Sequence, residues 1–341
     1  MTNSAEPLLA VRDLRTYFFT RAGIVKAVDG VDFEVQRGEI MGLVGESGSG
    51  KSNVCLSIVN LVSKPAGRIV SGQVLLEGRD LLQMKESQLR SVRGREVSMI
   101  LQDPSSSLNP VLTIGVQVGE AAQAHESKRG RSLQLQIIDA LKRVQIPSAE
   151  TRLNEYPHQF SGGMRQRVVT AMAVACHPKV ILADEPTTAL DVTTQSQFLA
   201  LLRGLRESGI GIVYVTHDLG VVAEICDRVA VMYAGQIVES GSVEEIFENP
   251  QHPYTAGLIA SVPALGSGRG RLYQIEGDPP DPLSVSEACR FAPRCFKARS
   301  RCHAEAPPLI EVSPTRTYRC WYPLKNEPEL ALVDHFAPRS Q

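Results

Sequence analysis

An eight-residue segment has the residue types and spacing of a loop that holds phosphate groups. It reads G-E-S-G-S-G-K-S and fits the pattern G-x-x-x-x-G-K-[ST] at every fixed position. Glycines let the backbone bend until successive N–H groups point at phosphate oxygens. Lys51 would reach the β- and γ-phosphates, and the Ser52 hydroxyl would bind Mg²⁺. The predicted nucleotide-binding residues are Gly45, Glu46, Ser47, Gly48, Ser49, Gly50, Lys51 and Ser52.

A pair of carboxylates follows an apolar run later in the chain. Residues 180–183 are Val-Ile-Leu-Ala, and Asp184 and Glu185 come directly after them. Asp184 is the expected second Mg²⁺ contact, directly or through water, and Glu185 could accept the proton of an attacking water as general base. An acidic pair alone is a weak signal, but its position after a phosphate loop makes it a strong one.

A second glycine-containing segment precedes a stretch with helical character. Ser161 is a favourable N-cap residue, and Gly162 and Gly163 expose backbone N–H groups. Such a turn can bind a terminal phosphate, although the pattern alone is more typical of a surface turn. Because the chain already has a phosphate loop, this segment is predicted to contact the nucleotide of another subunit.

Short apolar runs position these residues. Ile40–Val44 precedes the phosphate loop, a helix is expected after Ser52, and residues 212–216 form a further apolar run that ends at His217. Residues 229–233 and 236–239 flank Ala-Gly, which predicts a hairpin. A helical stripe between the runs predicts a core face formed by Phe198, Leu201, Leu202 and Leu205. The alternation of strands and helices predicts an α/β fold.

Composition changes along the chain predict two domains. Residues 1–250 read as one nucleotide-binding domain with a more helical insert at about 103–160, in which Leu133, Ile137, Leu141 and Val144 make an apolar face. Residues 251–341 are rich in proline and contain clustered cysteines, and the last fifteen or so residues read as a loose tail.

Bulk properties narrow the class of protein. The net charge is −1 and the pI is about 6.7, so global charge does not indicate a nucleic-acid partner. No apolar run approaches the roughly 18–20 residues of a membrane span, and the start lacks the layout of a signal peptide. The expectation is a cytosolic chain whose membrane role, if any, requires a spanning partner.

Seven cysteines fall into two groups. Cys55, Cys176 and Cys226 lie singly in apolar segments and are expected in the core. The others follow C-x5-C-x6-C-x17-C, a pattern for metal ligation in a reducing compartment. A [4Fe–4S] cluster is preferred to Zn²⁺, which usually takes closer pairs, and a metal-free region is the third possibility. Basic residues outnumber Glu305 and Glu311 here, and they would either offset thiolate and cluster charge or form a solvated basic face. They are Arg290, Arg294, Lys297, Arg299, Arg301, Arg316 and Arg319. The expected ligands are Cys289, Cys295, Cys302 and Cys320.

Together these motifs resemble the ATP-binding subunit of an ABC transporter. Residues 45–52 match the Walker A loop, residues 180–185 match Walker B, and Ser-Gly-Gly-Met-Arg at 161–165 matches the ABC signature. The resemblance covers residues 8–250. It implies ATP and Mg²⁺ as ligands, and two ATPs held between two such subunits, each site completed by the signature of the other subunit.

The same resemblance assigns further residues. Gln102 matches the Q-loop, which senses Mg²⁺ and the water; Asp191 matches the D-loop; and His217 matches the histidine that contacts the γ-phosphate. An aromatic residue among 17–19 should stack on adenine, and spacing favours Phe18.

Two segments narrow the resemblance to the dipeptide and oligopeptide importers. They are residues 156–167 and 249–255, and the cysteine-bearing end resembles a region that holds an iron–sulfur cluster in some members. The resemblance implies an ATPase that powers peptide uptake from the cytoplasmic face of the inner membrane. The implied partners are a second, different ATPase subunit, two permease subunits and an extracytoplasmic solute-binding protein.

Two other functions remain open at this stage. One is a soluble ABC ATPase acting on nucleic acid, ribosomes or iron–sulfur assembly, although the chain has a single cassette, no long coiled coil, and a region beyond residue 250. The other is a redox sensor in which a metal cluster controls the ATPase.

Overall fold

The structure is a computed structural model that describes residues 6–262 and 273–324. The chain forms two compact units, each assembled from segments that are distant in sequence. Of the described residues, the first unit contains 6–10, 34–40 and 75–215, and the second contains 11–33, 41–74, 216–262 and 273–324. The boundary predicted near residue 250 stays a prediction, and the predicted loose tail lies outside the described residues.

Strands and helices are interspersed along the described chain. In chain order, the strands are β1 (Leu9–Thr20), β2 (Gly23–Val35), β3 (Ile40–Val44), β4 (Gly67–Leu76), β5 (Arg79–Asp80), β6 (Val97–Ile100), β7 (Val180–Asp184), β8 (Gly211–Thr216), β9 (Arg228–Tyr233), β10 (Gln236–Ser242), β11 (Ile310–Ser313) and β12 (Arg316–Tyr318). The α-helices are α1 (Lys51–Ile58), α2 (Glu86–Val92), α3 (Pro104–Ser107), α4 (Ile114–Glu126), α5 (Gly130–Arg143), α6 (Ala149–Arg152), α7 (Gly162–Val174), α8 (Val192–Glu207), α9 (Leu219–Ile225), α10 (Val243–Glu248), α11 (Pro253–Ala260) and α12 (Ser300–Ala304). Short 3₁₀ helices span Leu81–Gln83, Pro157–Gln159 and Ala292–Arg294.

In the first unit, β6, β7 and β8 are parallel, with β7 in the middle. Every residue of β7 is buried, as expected for a parallel strand covered on both faces. Ile100 at the end of β6 lies opposite Ala183 of β7. The chain segments that follow these two strands therefore leave the sheet at the same edge, and this brings Gln102 near Glu185.

The helices of the first unit bury the faces predicted from periodicity. The predicted face of α5 and its C-cap is buried, and so is the stripe on α8, so both predictions are confirmed. Helices α3 to α6 occupy the stretch predicted to be a helical insert, whose limits stay a prediction. Among residues 6–262 and 273–324, no helix combines the length and apolar character needed to cross a bilayer.

In the second unit, β3 pairs in parallel with β9, and β9 and β10 form the predicted antiparallel hairpin. Both turn residues, Ala234 and Gly235, have positive φ (46° and 89°), which suits a tight hairpin turn. Gly235 donates its N–H to Ser49 O (2.9 Å) and accepts from Asp29 N (2.8 Å). The hairpin turn therefore supports the phosphate loop directly.

The cysteine-bearing region packs onto the same unit. Strand β12 pairs antiparallel with β10, and β11 pairs with β12. The Phe291 ring lies 5.3 Å from the rings of both Tyr233 and Tyr254. This region thus gains its core from β9, β10 and α11, which explains how a proline-rich segment with few apolar residues can be ordered.

The isolated cysteines take different positions. Cys55 and Cys176 are buried, as predicted. Cys226 as a whole is half-buried. It packs beside the hydrophobic cluster that contains Val222 and Val229, and burial of its thiol there raises the pKa of that thiol.

Candidate functional site

The phosphate loop follows a path that only glycine can take at two positions. Gly45 and Gly50 have φ of +153° and +105°. A Cβ at Gly45 would lie 2.1 Å from Met232 O, and a Cβ at Gly50 would lie 2.1 Å from Ala27 O. These are backbone atoms that cannot move aside, so the loop requires both glycines to curve between β3 and α1.

Lys51 begins α1 and is directed back into the loop. Its Nζ donates to Gly45 O (2.9 Å) and Glu46 O (3.0 Å), and the residue is only 5% exposed. Among the described residues, Ser49 Oγ is one of the buried polar atoms that have no hydrogen-bond partner. Ser52 is exposed on the first turn of α1, which has no acidic residue. The loop thus combines the Lys51 ammonium with the N-terminus of a helix, and both favour a phosphate ligand.

A cavity of about 160 Å³ lies beside the loop. Ser47 and Gly48 line it, and so does Phe18. Tyr17 instead donates its hydroxyl to Asp29 (2.7 Å), and Phe19 is exposed beneath Arg68. Of the three aromatic candidates, Phe18 is the one that lines this cavity, and its contact with a base stays a prediction.

In the first unit, Glu185 is held at the end of β7. Its Oε2 accepts hydrogen bonds from Gln102 Nε2 (3.1 Å) and Thr188 Oγ1 (3.1 Å), and its N–H donates to Val215 O (3.0 Å). Its φ is +46°, a conformation that costs an L-residue roughly 1–2 kcal/mol. Asp184, the last residue of β7, is buried. A carboxylate fixed by two neutral donors in a strained backbone conformation is suited to orient and deprotonate a water molecule.

The signature segment, residues 161–165, and Asp191 both lie beside Thr194. Ser161 caps α7, with its Oγ accepting from Met164 N (3.4 Å), as predicted. Asp191 caps α8 and accepts from both Thr194 N (3.0 Å) and Thr194 Oγ1 (2.7 Å), and these hydrogen bonds lower the pKa of Asp191. A Cβ on Gly163 would lie 2.3 Å from Thr194 Cγ2. Sequence reasoning missed Thr194, because nothing in its local pattern signals this contact.

Each unit contains part of the predicted site. His217 comes directly after β8, belongs to the second unit and is exposed. The first unit holds Gln102, Ser161, Gly162, Gly163, Asp184, Glu185 and Asp191, and the second holds Phe18, Gly45, Glu46, Ser47, Gly48, Ser49, Gly50, Lys51, Ser52 and His217.

Two arginines beside the cysteines have partners that the sequence did not suggest. Arg294 forms two hydrogen bonds with the Glu46 carboxylate (2.7 and 3.0 Å), and Arg290 pairs with Asp29 and donates to Ala234 O (2.6 Å). The expectation that these arginines offset thiolate charge is therefore wrong for both. Their charge is already balanced by carboxylates of the phosphate loop and of β2.

The four clustered cysteines line one small cavity of about 10 Å³, together with Trp321 and Tyr322. Burial raises the pKa of Cys289, and it raises the pKa of Cys295 to about 11 and of Cys320 to about 12. Cys302 is buried, and its carbonyl accepts from Cys289 N. Within residues 6–262 and 273–324, no three or more His, Cys, Asp or Glu side chains are arranged to hold a metal ion. The structure therefore brings the four thiols to one cavity but gives no support of its own for the expected cluster.

Comparison with known proteins places the chain in a family. A family model described as "ABC transporter" matches residues 28–188, and one described as "Oligopeptide/dipeptide transporter, C-terminal region" matches residues 238–302. The chain is 47% identical over 315 residues to the oligopeptide transport ATP-binding protein AppD of Bacillus subtilis (strain 168), covering 92% of this chain and 96% of AppD. It is 44% identical over 317 residues to the dipeptide transport ATP-binding protein DppD of the same organism, covering 93% and 95%.

Solved structures agree with this placement. The dimeric ATP-binding cassette MJ0796 bound to ADP and Pi is similar with a TM-score of 0.61 at 26% identity, over 69% of this chain and 98% of that one. CbiO1 from Clostridium perfringens, part of an ABC transporter complex, is similar with a TM-score of 0.60 at 26% identity, over 71% and 91%. The chain belongs to the ABC transporter ATP-binding proteins, in the oligopeptide/dipeptide group, and has the α/β P-loop ATPase fold of that family.

Proposed function

We propose that this chain hydrolyses ATP to drive the import of short peptides or related solutes through membrane permease subunits. The observation that carries the hydrolytic role is the position of Glu185, directly after Asp184 and held by Gln102 and Thr188. The similarity to peptide transport ATP-binding proteins over more than nine-tenths of the chain supports the transported class. It also favours an importer over a soluble ATPase that acts on nucleic acid, ribosomes or iron–sulfur assembly.

Different residues of the chain bind the phosphates, hold Mg²⁺ and activate the attacking water in this proposed mechanism. The phosphate loop and Lys51 bind the phosphates, and His217 contacts the γ-phosphate. Ser52, Asp184 and Gln102 would hold Mg²⁺, which would offset phosphate charge. Glu185 takes the proton of the attacking water and is oriented by Gln102.

Replacing Glu185 by glutamine tests the hydrolytic role. Glu185→Gln keeps the shape and the hydrogen-bond partners but removes the base, so ATP hydrolysis should fall by about 10²–10⁴-fold while ATP binding persists. Glu207→Gln at the exposed end of α8 is the matched control and should keep full activity. Lys51→Ala should weaken ATP binding itself. Steady turnover by Glu185→Gln at the normal rate would exclude the general-base role.

We infer that the chain acts beside a second ATPase subunit of a different sequence. Gly162 has open space around it, and Val192, next to Asp191, is 83% exposed. The surface at Gly162 and Val192 is therefore open to a partner subunit. The Glu185→Gln variant with ATP should form a stable complex with the co-encoded ATPase in size-exclusion chromatography. A stable dimer of this chain alone under the same conditions would exclude a required heterodimer.

We infer that the permease contacts the segment around the Q-loop. Leu101, Val111, Leu112 and Val116 are all exposed apolar residues in this segment. Val111→Asp should leave ATPase activity of the isolated chain unchanged and abolish transport in the assembled importer. Leu135→Asp, an equally apolar exposed position on α5, is the control. Purification with ribosomes or DNA and never with membranes would refute the importer.

The location proposed for the chain is the cytoplasmic face of the inner membrane, where it is peripheral and bound to two permease subunits. An extracytoplasmic binding protein would deliver the solute to those permeases. Loss of the chain from the membrane fraction when the permeases are deleted is the expected result. Retention without them would contradict this arrangement.

We propose that the four clustered cysteines hold a [4Fe–4S] cluster. The support is the set of ligand atoms: four thiols line one cavity, which Trp321 and Tyr322 also line. Anaerobically purified protein should contain iron and sulfide in equal amounts, about four of each per chain. Cys295→Ser should lose both, whereas Cys55→Ser should lose neither. One zinc per chain would decide for Zn²⁺ instead, and no metal would refute both.

A further inference from the structure

A proline segment of the C-terminal region lines the nucleotide cavity. Pro279, Pro280 and Pro282 line the same cavity as Phe18 and Gly48. Proline rings are apolar and lose little conformational freedom when they are buried, so they suit a wall against a flat base. The cavity is therefore bounded by an aromatic ring from β1 and by prolines that lie more than 200 residues later in the chain.

An ion pair joins this segment to the wall of the cavity. Lys26 of β2 also lines the cavity, and its Nζ lies 2.5 Å from Glu287 Oε1. The hydrogen bond from Lys26 to Glu287 and their charge attraction raise the pKa of Lys26 despite its partial burial. Because the Glu287 side chain is largely exposed, the pair contributes little stability, and it adds a contact beside the prolines rather than holding the segment by itself.

Arg294 holds the first variable residue of the phosphate loop. Its side chain is 5% exposed and donates two hydrogen bonds to the Glu46 carboxylate, in the bidentate geometry typical of strong arginine–carboxylate pairs. Arg294 Nη1 also approaches Tyr233 Oη (3.4 Å), and its Nε donates to Glu276 O (3.1 Å). The guanidinium is therefore fixed from three directions.

Fixing Glu46 also affects Lys51. Glu46 donates its N–H to Tyr254 Oη (2.9 Å), and its carbonyl accepts from Lys51 Nζ (3.0 Å). Ser47, the next residue, lines the cavity. Movement of Glu46 would therefore shift the carbonyl that orients the Lys51 ammonium. Arg294 acts on the phosphates through the loop and is a positioning residue.

We propose that residues 279–294 complete the nucleotide site: the prolines bind one side of the base, and Arg294 positions the phosphate loop through Glu46. The inference rests on the proposed nucleotide site. It adds that the C-terminal region, which is distant in sequence from the Walker motifs, sets the affinity for ATP.

The phosphate arm of the test uses Arg294→Ala in the full chain, with dissociation constants for ATP and UTP measured by calorimetry. Because the loop contacts phosphates shared by both nucleotides, both constants should rise by the same factor, about tenfold. Arg294→Lys should recover part of the loss. Arg301→Ala removes an arginine that pairs with Glu305 in the same region and should change neither constant.

The base arm replaces Pro279, Pro280 and Pro282 together by alanine. The constant for ATP should rise about three- to tenfold and that for UTP less, because a purine presents the larger face to the wall. Pro308→Ala, an exposed proline of the same region, is the control.

The outcomes separate this inference from the proposed site. If the unaltered chain binds no ATP, the nucleotide site and the inference both fail. If it binds ATP and both variants retain the same constants, the inference alone is refuted, even where their melting temperatures fall. Equal loss for ATP and UTP in the proline variant would refute the base contact.

Discussion

The contact between Gly163 and Thr194 allows a quantitative prediction for the signature segment. A Cβ on Gly163 would lie 2.3 Å from Thr194 Cγ2, more than about 1 Å closer than an ordinary carbon–carbon contact. Thr194 can turn its methyl group away only by giving up the hydrogen bond from Oγ1 to Asp191. The alternative, separation of α7 from α8, costs about 1–3 kcal/mol, as other overpacked contacts do. Gly163→Ala should therefore destabilise the chain by about 1–3 kcal/mol.

The neighbouring residues supply the controls. A methyl group added at Gly162 would meet open space, so Gly162→Ala should be neutral or slightly stabilising. Thr194→Ser removes the methyl group but keeps the hydroxyl that bonds to Asp191. The double variant Gly163→Ala/Thr194→Ser should therefore recover most of the lost stability.

Urea unfolding followed by far-ultraviolet circular dichroism measures these differences, and the double-mutant cycle isolates the contact. The expected coupling between the two sites is about 1–2 kcal/mol in favour of the double variant. Equal destabilisation by Gly162→Ala and Gly163→Ala, or no recovery with Thr194→Ser, would refute the steric argument.

Three further predictions concern the second unit. Gly50→Ala should lower the free energy of unfolding in urea by at least about 3 kcal/mol, because its Cβ would meet Ala27 O at a φ of +105°. Gly48→Ala is the control: its Cβ would meet open space, so the substitution should cost only about 1–2 kcal/mol. Burial opposes ionisation of Asp29, but hydrogen bonds from Tyr17 and Arg290 hold the pKa of Asp29 below its usual value. The ionised carboxylate therefore stabilises the fold above about pH 4, and this contribution is lost as pH falls through the lowered pKa. Asp29→Asn should make the free energy of unfolding less dependent on pH over that acid range, and an unchanged pH profile would contradict the role of these hydrogen bonds. Tyr254→Phe leaves Glu46 N–H without its acceptor and should cost about 1–3 kcal/mol, which the melting temperature measures; no change would show that this bond is dispensable.

The local elements and the class of chemistry could be predicted from the sequence. Strand β3 has the predicted limits, β7 ends at the predicted Asp184, and the turn between β9 and β10 lies at the predicted residues. Hydrophobic periodicity, glycine placement and capping depend on residues close together in the chain, and these are the terms that a sequence displays. The phosphate loop was recognisable because its chemistry requires fixed residues at fixed local spacing.

The long-range partners were decided only by the tertiary structure. Arg294 and Arg290 were expected to offset thiolate charge or to lie on a solvated face, yet they pair with Glu46 and Asp29, from which they are separated by 248 and 261 residues. Thr194 showed no signal of its contact with Gly163. A count of charges gives the number of possible ion pairs, but the path of the backbone decides which groups meet. Charge-assisted hydrogen bonds, bidentate between Arg294 and Glu46, then hold the pairs that form.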